Sequence, residues 1–191
     1  MKKINYQITK LFLVSITLLL SACAFMSVEA KSSCANNICQ LSAGKMLVTY
    51  QKVSSNTLKV TMSAPTTGWV AVGFGATFAM KNAYMVIAYI DDQGKVQISE
   101  EYGTGAWSHS SIKSMGGQSQ ISHVTGSYDK NTNTTTISFE MPLASKDKKY
   151  GKVLTEGKEV TIIMAYGKDG ATNFTSHHQF RASKTIKNFS I

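Results

Sequence analysis

Methionine, histidine and cysteine are the side chains of this 191-residue chain that could bind a metal or a cofactor. The chain has nine methionines, four histidines and three cysteines. A methionine thioether usually fills a gap in a core, whereas an imidazole binds metals or transfers protons. The sequence has no Cys-x-x-Cys-His, which excludes covalent c-type haem attachment. It also has no recognisable nucleophile triad, metal-ligand cluster or phosphate loop, so we do not predict an enzyme.

Residues 1–22 are typical of a bacterial export signal. Three lysines precede an apolar run at residues 11–20, which is shorter than the roughly 20 residues that a membrane-spanning helix needs. Leu20-Ser21-Ala22-Cys23 resembles a lipobox, which predicts a lipid anchor on Cys23. The alternative is cleavage after Ala30, which would release a secreted protein. We therefore expect the bacterial cell envelope, with the outer membrane or cell surface favoured.

Acylation of Cys23 would leave Cys34 and Cys39 as a pair. In an oxidising compartment these two cysteines are expected to form a small disulfide loop, with two free thiols as the alternative. Closing so short a loop stabilises the fold by about 2 kcal/mol. Residues 23–43 are polar on average, and we predict that they form a tether that carries this disulfide.

The charge balance is basic. Removing the three signal lysines from the formal net charge of +9 leaves +6. The lysines are spread along the sequence without a dense block, which favours an ordinary solvated surface. The alternative is a surface that attracts an acidic redox partner or anionic headgroups. We expect no nucleic-acid partner for an exported protein. The lysines concerned include Lys148, Lys149, Lys152, Lys158, Lys184 and Lys187.

Apolar residues alternate with polar residues at a period of two, which is typical of half-buried antiparallel strands. Two runs, 70–72 and 85–90, are continuously apolar, as expected for strands covered on both faces. Turn-forming residues separate the runs. We therefore predict an all-β antiparallel sandwich over residues 44–191. The alternating residues are Leu58, Val60 and Met62; Ile137, Phe139 and Met141; and Val160, Ile162, Met164 and Tyr166.

Three motifs in this order resemble the haem-binding or sugar-binding DOMON domain, over residues 44–183. They are Gly68-Trp69-Val70-Ala71-Val72-Gly73-Phe74-Gly75, Met80-x-x-Ala83, and His178-x-x-Arg181. The resemblance implies an immunoglobulin-like β-sandwich. Two positions depart from the family pattern. Tyr84 stands where many members have an acidic residue, and Ala182 stands where a glycine usually follows the arginine.

The resemblance implies that Met80 and His178 are the two axial ligands of one haem b iron. His177 is the alternative ligand, because neighbouring residues of a strand point to opposite faces and only one can face the iron. It further implies that Trp69, Phe74, Phe78 and Tyr166 line the macrocycle and that Arg181 pairs with a propionate. These roles remain alternatives to ordinary core packing and surface exposure.

Two protein ligands would leave no open position on the iron, which suits electron transfer. We therefore predict a lipid-anchored b-type cytochrome module that relays single electrons to a redox partner protein in the envelope. The alternative is a haem-free module that binds carbohydrate or another envelope ligand through the loop residues Trp107 and His109. A third hypothesis is a purely structural interaction domain.

Overall fold

The computed structural model describes residues 30–191, which form twelve β-strands and no α-helix. The predicted signal peptide and Cys23 lie outside the described residues. No helix within residues 30–191 could span a membrane. The strands are β1 Lys31–Ala35, β2 Ile38–Ala43, β3 Met46–Ser54, β4 Thr57–Ala64, β5 Val70–Phe74, β6 Tyr84–Ile90, β7 Val96–Tyr102, β8 Ser110–Ser111, β9 Ser122–Asp129, β10 Thr134–Pro142, β11 Val160–Gly167 and β12 His178–Ile186.

The strands form two six-stranded antiparallel sheets that pack face to face. Sheet I has the order β1-β2-β3-β4-β10-β9, and sheet II has the order β12-β11-β5-β6-β7-β8. The inner faces of both sheets supply one continuous hydrophobic core. This architecture confirms the predicted all-β sandwich.

The predicted period of two appears directly in the burial of the strands. In β4, Leu58, Val60 and Met62 are buried, while the residues between them are more accessible. The same alternation holds along β10 and β11. Each buried side chain removes apolar surface from water, which is the main favourable contribution to folding.

The central strands of sheet II are buried on both faces, as the continuous apolar runs predict. All five residues of β5 and the first five of β6 are buried. Their inner side chains join the main core, and their outer side chains belong to two smaller apolar clusters. Something must therefore cover the outer face of sheet II, and the loops described below do so.

The segment predicted as a tether is instead part of the sandwich from residue 31 onward. β1 and β2 form a hairpin, and β2 pairs with β3. Asn36 and Asn37 both have left-handed backbone angles, with φ of 51° and 61°, as a two-residue hairpin turn requires. Leu41 is fully buried, so this hairpin contributes to the core and cannot act as a free linker.

The predicted disulfide is present. Cys34 and Cys39 are directly opposite each other in the hairpin register and are joined through their sulfur atoms. The bond closes the end of the hairpin next to the Asn36–Asn37 turn.

We expect a double variant, Cys34→Ser with Cys39→Ser, to lose about 2 kcal/mol of unfolding free energy, because the cross-link restricts the unfolded chain. Urea unfolding of the oxidised protein, the reduced protein and the variant measures the loss. Reduction should lower the wild-type value by a similar amount and leave the variant unchanged. Equal stability of all three samples would contradict the prediction.

Candidate cofactor-binding site

The outer face of sheet II has a floor of small side chains at its centre. The sheet register places Ala71 between Ala165 on one side and Ile87 on the other. In the next row, Gly73 lies between Ile163 and Met85. Alanine and glycine let neighbouring side chains pack close to the sheet, and the side chains of Met85 and Ile163 lie over Gly73.

Met80 lies in the loop that joins β5 to β6, at one end of this floor. Its backbone N–H donates to the Ala106 carbonyl at 3.2 Å, and its carbonyl accepts from the Ala83 N–H at 3.0 Å. The neighbouring Ala79 and Asn82 have φ of 50° and 65°, which turns the loop tightly. The half-buried Met80 side chain packs against the apolar cluster of Ala76, Ala83 and Met85.

Glycine is required where the Met80 loop meets its neighbour. A Cβ atom at Gly103 would lie 1.7 Å from the Met80 carbonyl oxygen, so no larger residue fits there without moving this loop. On the floor itself, a Cβ atom at Gly73 would lie 2.6 Å from Cγ of Met85. The first contact brings the Met80 backbone close to the start of the loop after β7, and the second brings the Met85 side chain close to the sheet.

His178 begins β12 at the other end of the same face. It pairs with Gly167, after a register shift between Tyr166 and Gly167. Partial burial, and secondarily the charge of Arg181, lowers the pKa of the His178 imidazole below its ordinary value. His178 is therefore biased toward the neutral form, which is the form that binds metals. His177 precedes the strand, and both histidines belong to the exposed class by residue accessibility.

Trp69 holds the segment that leads into His178. Its indole Nε1 donates a hydrogen bond to Ser176 Oγ at 2.8 Å. The indole lies over Gly167, where a Cβ atom would be 2.5 Å from Nε1. Trp69 is buried in the outer-face cluster with Ala71 and Ile87.

Gly167 and Ile163 are four residues apart along β11, which corresponds to about 13 Å. His178 pairs with Gly167, and the Met80 side chain packs against the apolar cluster that Ile163 also contacts. The pair Ala165 and Ala71 lies halfway between Gly167 and Ile163. A thioether and an imidazole therefore flank a floor of small side chains from opposite ends.

Phe78 and Arg181 lie at the rim of this face. The Phe78 side chain is 66% exposed and belongs to the Met80 loop. The Arg181 guanidinium stacks over the Trp107 ring, with 5.2 Å between its central carbon and the ring centroid. Arg181 comes from β12 and Trp107 from the loop after β7, so two segments from opposite edges of sheet II meet above the floor.

Two predicted site residues face the other way. Tyr166 points into the core between the sheets, where its ring stacks on Phe180 with centroids 5.2 Å apart. Phe74 is also fully buried on the inner face of β5. The prediction that these two aromatic rings line the macrocycle is corrected, because strand alternation places them on the face opposite to Ala165 and Gly73.

A buried acid lies beside the floor and was not predicted from the sequence. Glu101 pairs in register with Met85 and accepts a hydrogen bond from Ser99 Oγ at 2.5 Å. Its other carboxylate oxygen lies 3.1 Å from His109 Nδ1. His109 thus has a structural partner at the edge of the site.

The donor set fits haem better than a bare metal ion. Within residues 30–191, no three His, Cys, Asp or Glu side chains group as metal ligands. A methionine and a histidine are a known axial pair for haem iron. The forked guanidinium of Arg181 suits a carboxylate. The residues present therefore fit the cofactor that the sequence suggested.

The fold is that of an immunoglobulin-like β-sandwich with a covered outer face on one sheet. The chain belongs to the DOMON domain family, whose sequence profile matches residues 42–167. His178 and Arg181 lie beyond this range, so their assignment to a family motif remains a prediction.

Two solved structures share the fold. One is the cytochrome b domain of pyranose dehydrogenase from Coprinopsis cinerea, with 13% sequence identity, a TM-score of 0.55, and coverage of 74% of this chain and 75% of that one. The other is the cytochrome domain of Myriococcum thermophilum cellobiose dehydrogenase, with 12% identity, a TM-score of 0.55, and coverage of 84% and 88%. A search of curated protein sequences finds no significant match.

In the haem-free protein we expect the His178 imidazole to titrate below the usual value of about 6.5, because burial and Arg181 disfavour its charged form. Since the unfolded chain then binds the proton more readily, the fold loses stability as the pH falls from about 6.5 through the folded pKa. NMR titration of the imidazole protons measures the midpoint.

Arg181→Gln should raise this midpoint, because it removes a nearby positive charge. Lys59→Gln removes the same charge from sheet I and should leave the midpoint unchanged. A His178 midpoint at or above 6.5 in the wild-type protein would contradict the prediction.

Proposed function

We propose that this protein is a b-type cytochrome module that binds one haem without a covalent bond and transfers single electrons. The observation that carries the proposal is the placement of Met80 and His178 at opposite ends of one small-residue floor on sheet II. The shared fold with two cytochrome domains supports it.

When bound, haem supplies an iron that changes between two oxidation states. Met80 and His178 would hold this iron, and electron transfer needs no substrate position on it. A thioether ligand favours the reduced iron and raises the reduction potential. The lowered pKa of His178 favours the neutral imidazole that ligation needs. This ligand set suits an electron carrier whose chemistry is performed by a separate partner.

The surrounding residues would position these ligands. Trp69 holds Ser176, two residues before His178, through the indole hydrogen bond. Gly103 allows the Met80 loop to pack closely against the loop after β7. Arg181 would exchange its contact with the Trp107 ring for a propionate carboxylate, because a charge-assisted bidentate pair is the stronger interaction.

We place this module in the bacterial cell envelope, anchored by a lipid on Cys23. The lipobox sequence and the disulfide support an exported protein, since disulfides persist in oxidising compartments. The outer membrane or cell surface is favoured. If the lipobox is not used, the protein is secreted. Its partner is a redox protein of the same compartment.

Carbohydrate binding is the second candidate function. The observation that favours it is the Trp107 side chain, which is 68% exposed on a loop, and an aromatic face suits a sugar ring. Two substitutions distinguish these functions. Sugar binding should be kept in Met80→Ala and lost in Trp107→Ala, whereas haem binding should be lost in Met80→Ala.

We expect residues 24–191, with haem added, to give the sharp reduced absorption bands of a six-coordinate, low-spin b-type cytochrome. Met80→Ala and His178→Ala should each abolish these bands, because each removes one axial ligand. His177→Ala is the matched control and should leave the spectrum nearly unchanged. Oxidised and dithionite-reduced spectra make the comparison.

Two results would contradict the cytochrome proposal. One is folded protein that takes up no haem. The other is a low-spin spectrum that survives both ligand substitutions. In the second case the haem would be bound elsewhere on the protein.

Cys23→Ser should abolish lipid attachment, because its thiol is the acylated group. Expression of the full chain in a bacterium, followed by membrane fractionation and intact-mass measurement, tests this expectation. The wild-type protein should be in the membrane fraction with an added acyl mass. A soluble wild-type protein that begins after Ala30 would instead establish secretion.

A further inference from the structure

Lysines that are scattered in the sequence gather at one end of the folded sandwich. This Met80 end is formed by the loops 75–83, 103–121 and 143–159. The segment 145–152 carries Lys146, Lys148, Lys149 and Lys152 against a single acid, Asp147. A Cβ atom at Gly75 would lie 3.0 Å from Cδ of Lys152, so this segment packs directly beside the Met80 loop.

The charge of this end is largely uncompensated. These loops contain seven lysines, namely Lys113 and Lys158 besides Lys81 and the four of segment 145–152, and three acids, Asp147, Glu156 and Glu159, which gives a net charge of +4. Within the described residues, none of these seven lysines forms a salt bridge. The Asp147 carboxylate instead accepts backbone hydrogen bonds from Lys149 and Tyr150 through Oδ1, at 2.9 and 3.0 Å.

The opposite end of the sandwich is electrically balanced. Its turns carry four acids, Asp91, Asp92, Asp129 and Asp169, and four lysines, Lys45, Lys95, Lys130 and Lys168. Four positive and four negative charges give a net charge of zero. The positive potential is therefore a property of the Met80 end rather than of the whole surface.

Apolar side chains are exposed within the basic region. Phe78 in the Met80 loop and Val153 at the end of the lysine segment are each 66% exposed. An apolar centre surrounded by charge is the usual composition of a protein–protein contact. A charged rim speeds the encounter with a partner of opposite sign.

We propose that the Met80 end is a docking surface for a redox partner protein with an acidic face. The inference rests on the proposed function, because electron transfer requires the partner to approach the cofactor closely. The same loop carries the exposed Phe78 and the candidate ligand Met80. A partner that contacts Phe78 would thus lie beside this candidate ligand.

The position of the N-terminus argues for a protein partner over anionic lipid headgroups. The described chain begins at Ala30, and Lys31 pairs with Ser42 next to the 44–45 turn. That turn contacts Phe180 through Gly44 and so lies at the balanced end, near the start of β12. Six residues lie between Cys23 and Ala30, so the seven steps from one to the other reach at most about 25 Å. A lipid on Cys23 would hold the balanced end toward the membrane and direct the Met80 end away from it.

The test uses mature full-length protein and a purified flavodoxin of net negative charge as the probe. We compare the wild-type protein with the triple variant Lys146→Glu, Lys148→Glu and Lys149→Glu. The matched control is Lys45→Glu, Lys130→Glu and Lys168→Glu, which makes the same change in net charge at the balanced end. All six lysines are exposed, and thermal unfolding confirms that both variants fold.

Amide NMR spectra of the haem-free protein, titrated with the probe, report docking independently of haem. We expect shifts concentrated in residues 76–81 and 146–153. Affinity should fall about tenfold or more in the Met80-end variant and change less than twofold in the control. Added salt should weaken binding to the wild-type protein. Stopped-flow electron transfer with haem-loaded protein should show the same order of variants.

Three outcomes would overturn the docking proposal. The first is no binding of the acidic probe. The second is equal weakening in both variants, which would indicate diffuse charge attraction. The third is binding of phosphatidylglycerol vesicles through these lysines in preference to the probe, which would assign the surface to membranes. Failure of the cytochrome proposal is seen separately, in the haem spectrum.

Discussion

The structure depends on one constraint, which is that the central strands of sheet II are buried on both faces. The inner side chains of β5, β6 and β11 form the main core with sheet I. Their outer side chains also avoid water, although no third sheet covers them within the described chain. Loops have to provide the cover, and this requirement brings the Met80 loop, the Trp107 loop and the start of β12 over one face. The candidate site exists because the same side chains that stabilise the sheet also leave it a floor of alanine and glycine.

The two candidate ligands reach this floor by different means. His178 is fixed by strand pairing, since it lies opposite Gly167 at the first position of β12. Met80 is fixed by a compact loop whose backbone is bonded to Ala106 and whose approach to Gly103 leaves no room for a side chain. A rigid strand and a closely packed loop together limit the movement of both donors. Such preorganisation suits electron transfer, because the ligands need to move little when the charge of a bound group changes.

Much of this arrangement could be predicted from the sequence, and the failures have physical reasons. The period of two predicted the strands and their inner faces, whereas the roles of Met80 and His178 as ligands stay predictions. The prediction for Tyr166 and Phe74 was wrong, because the candidate site lies on the outer face of sheet II. In the alternation along their strands, both residues point to the inner face. The alternating small residues Ala71 and Gly73 were the available signal for that face. The β1–β2 hairpin was missed because a polar composition outweighed the Asn36–Asn37 turn signal. Pairings such as Glu101 with His109, or Arg181 with Trp107, depend on long-range loop placement that no local pattern encodes.

The hairpin disulfide also affects whether the edge of sheet I is protected from aggregation. β1 is the outermost strand of sheet I, and all five of its residues are exposed. It shields β2, whose Cys39 and Leu41 are buried. In a reducing environment this short edge strand would be held by its pairing with β2 alone, and its fraying would expose a longer, more apolar edge that favours aggregation. The cross-link thus protects the sheet from self-association, and the protection begins only after the chain has reached an oxidising compartment.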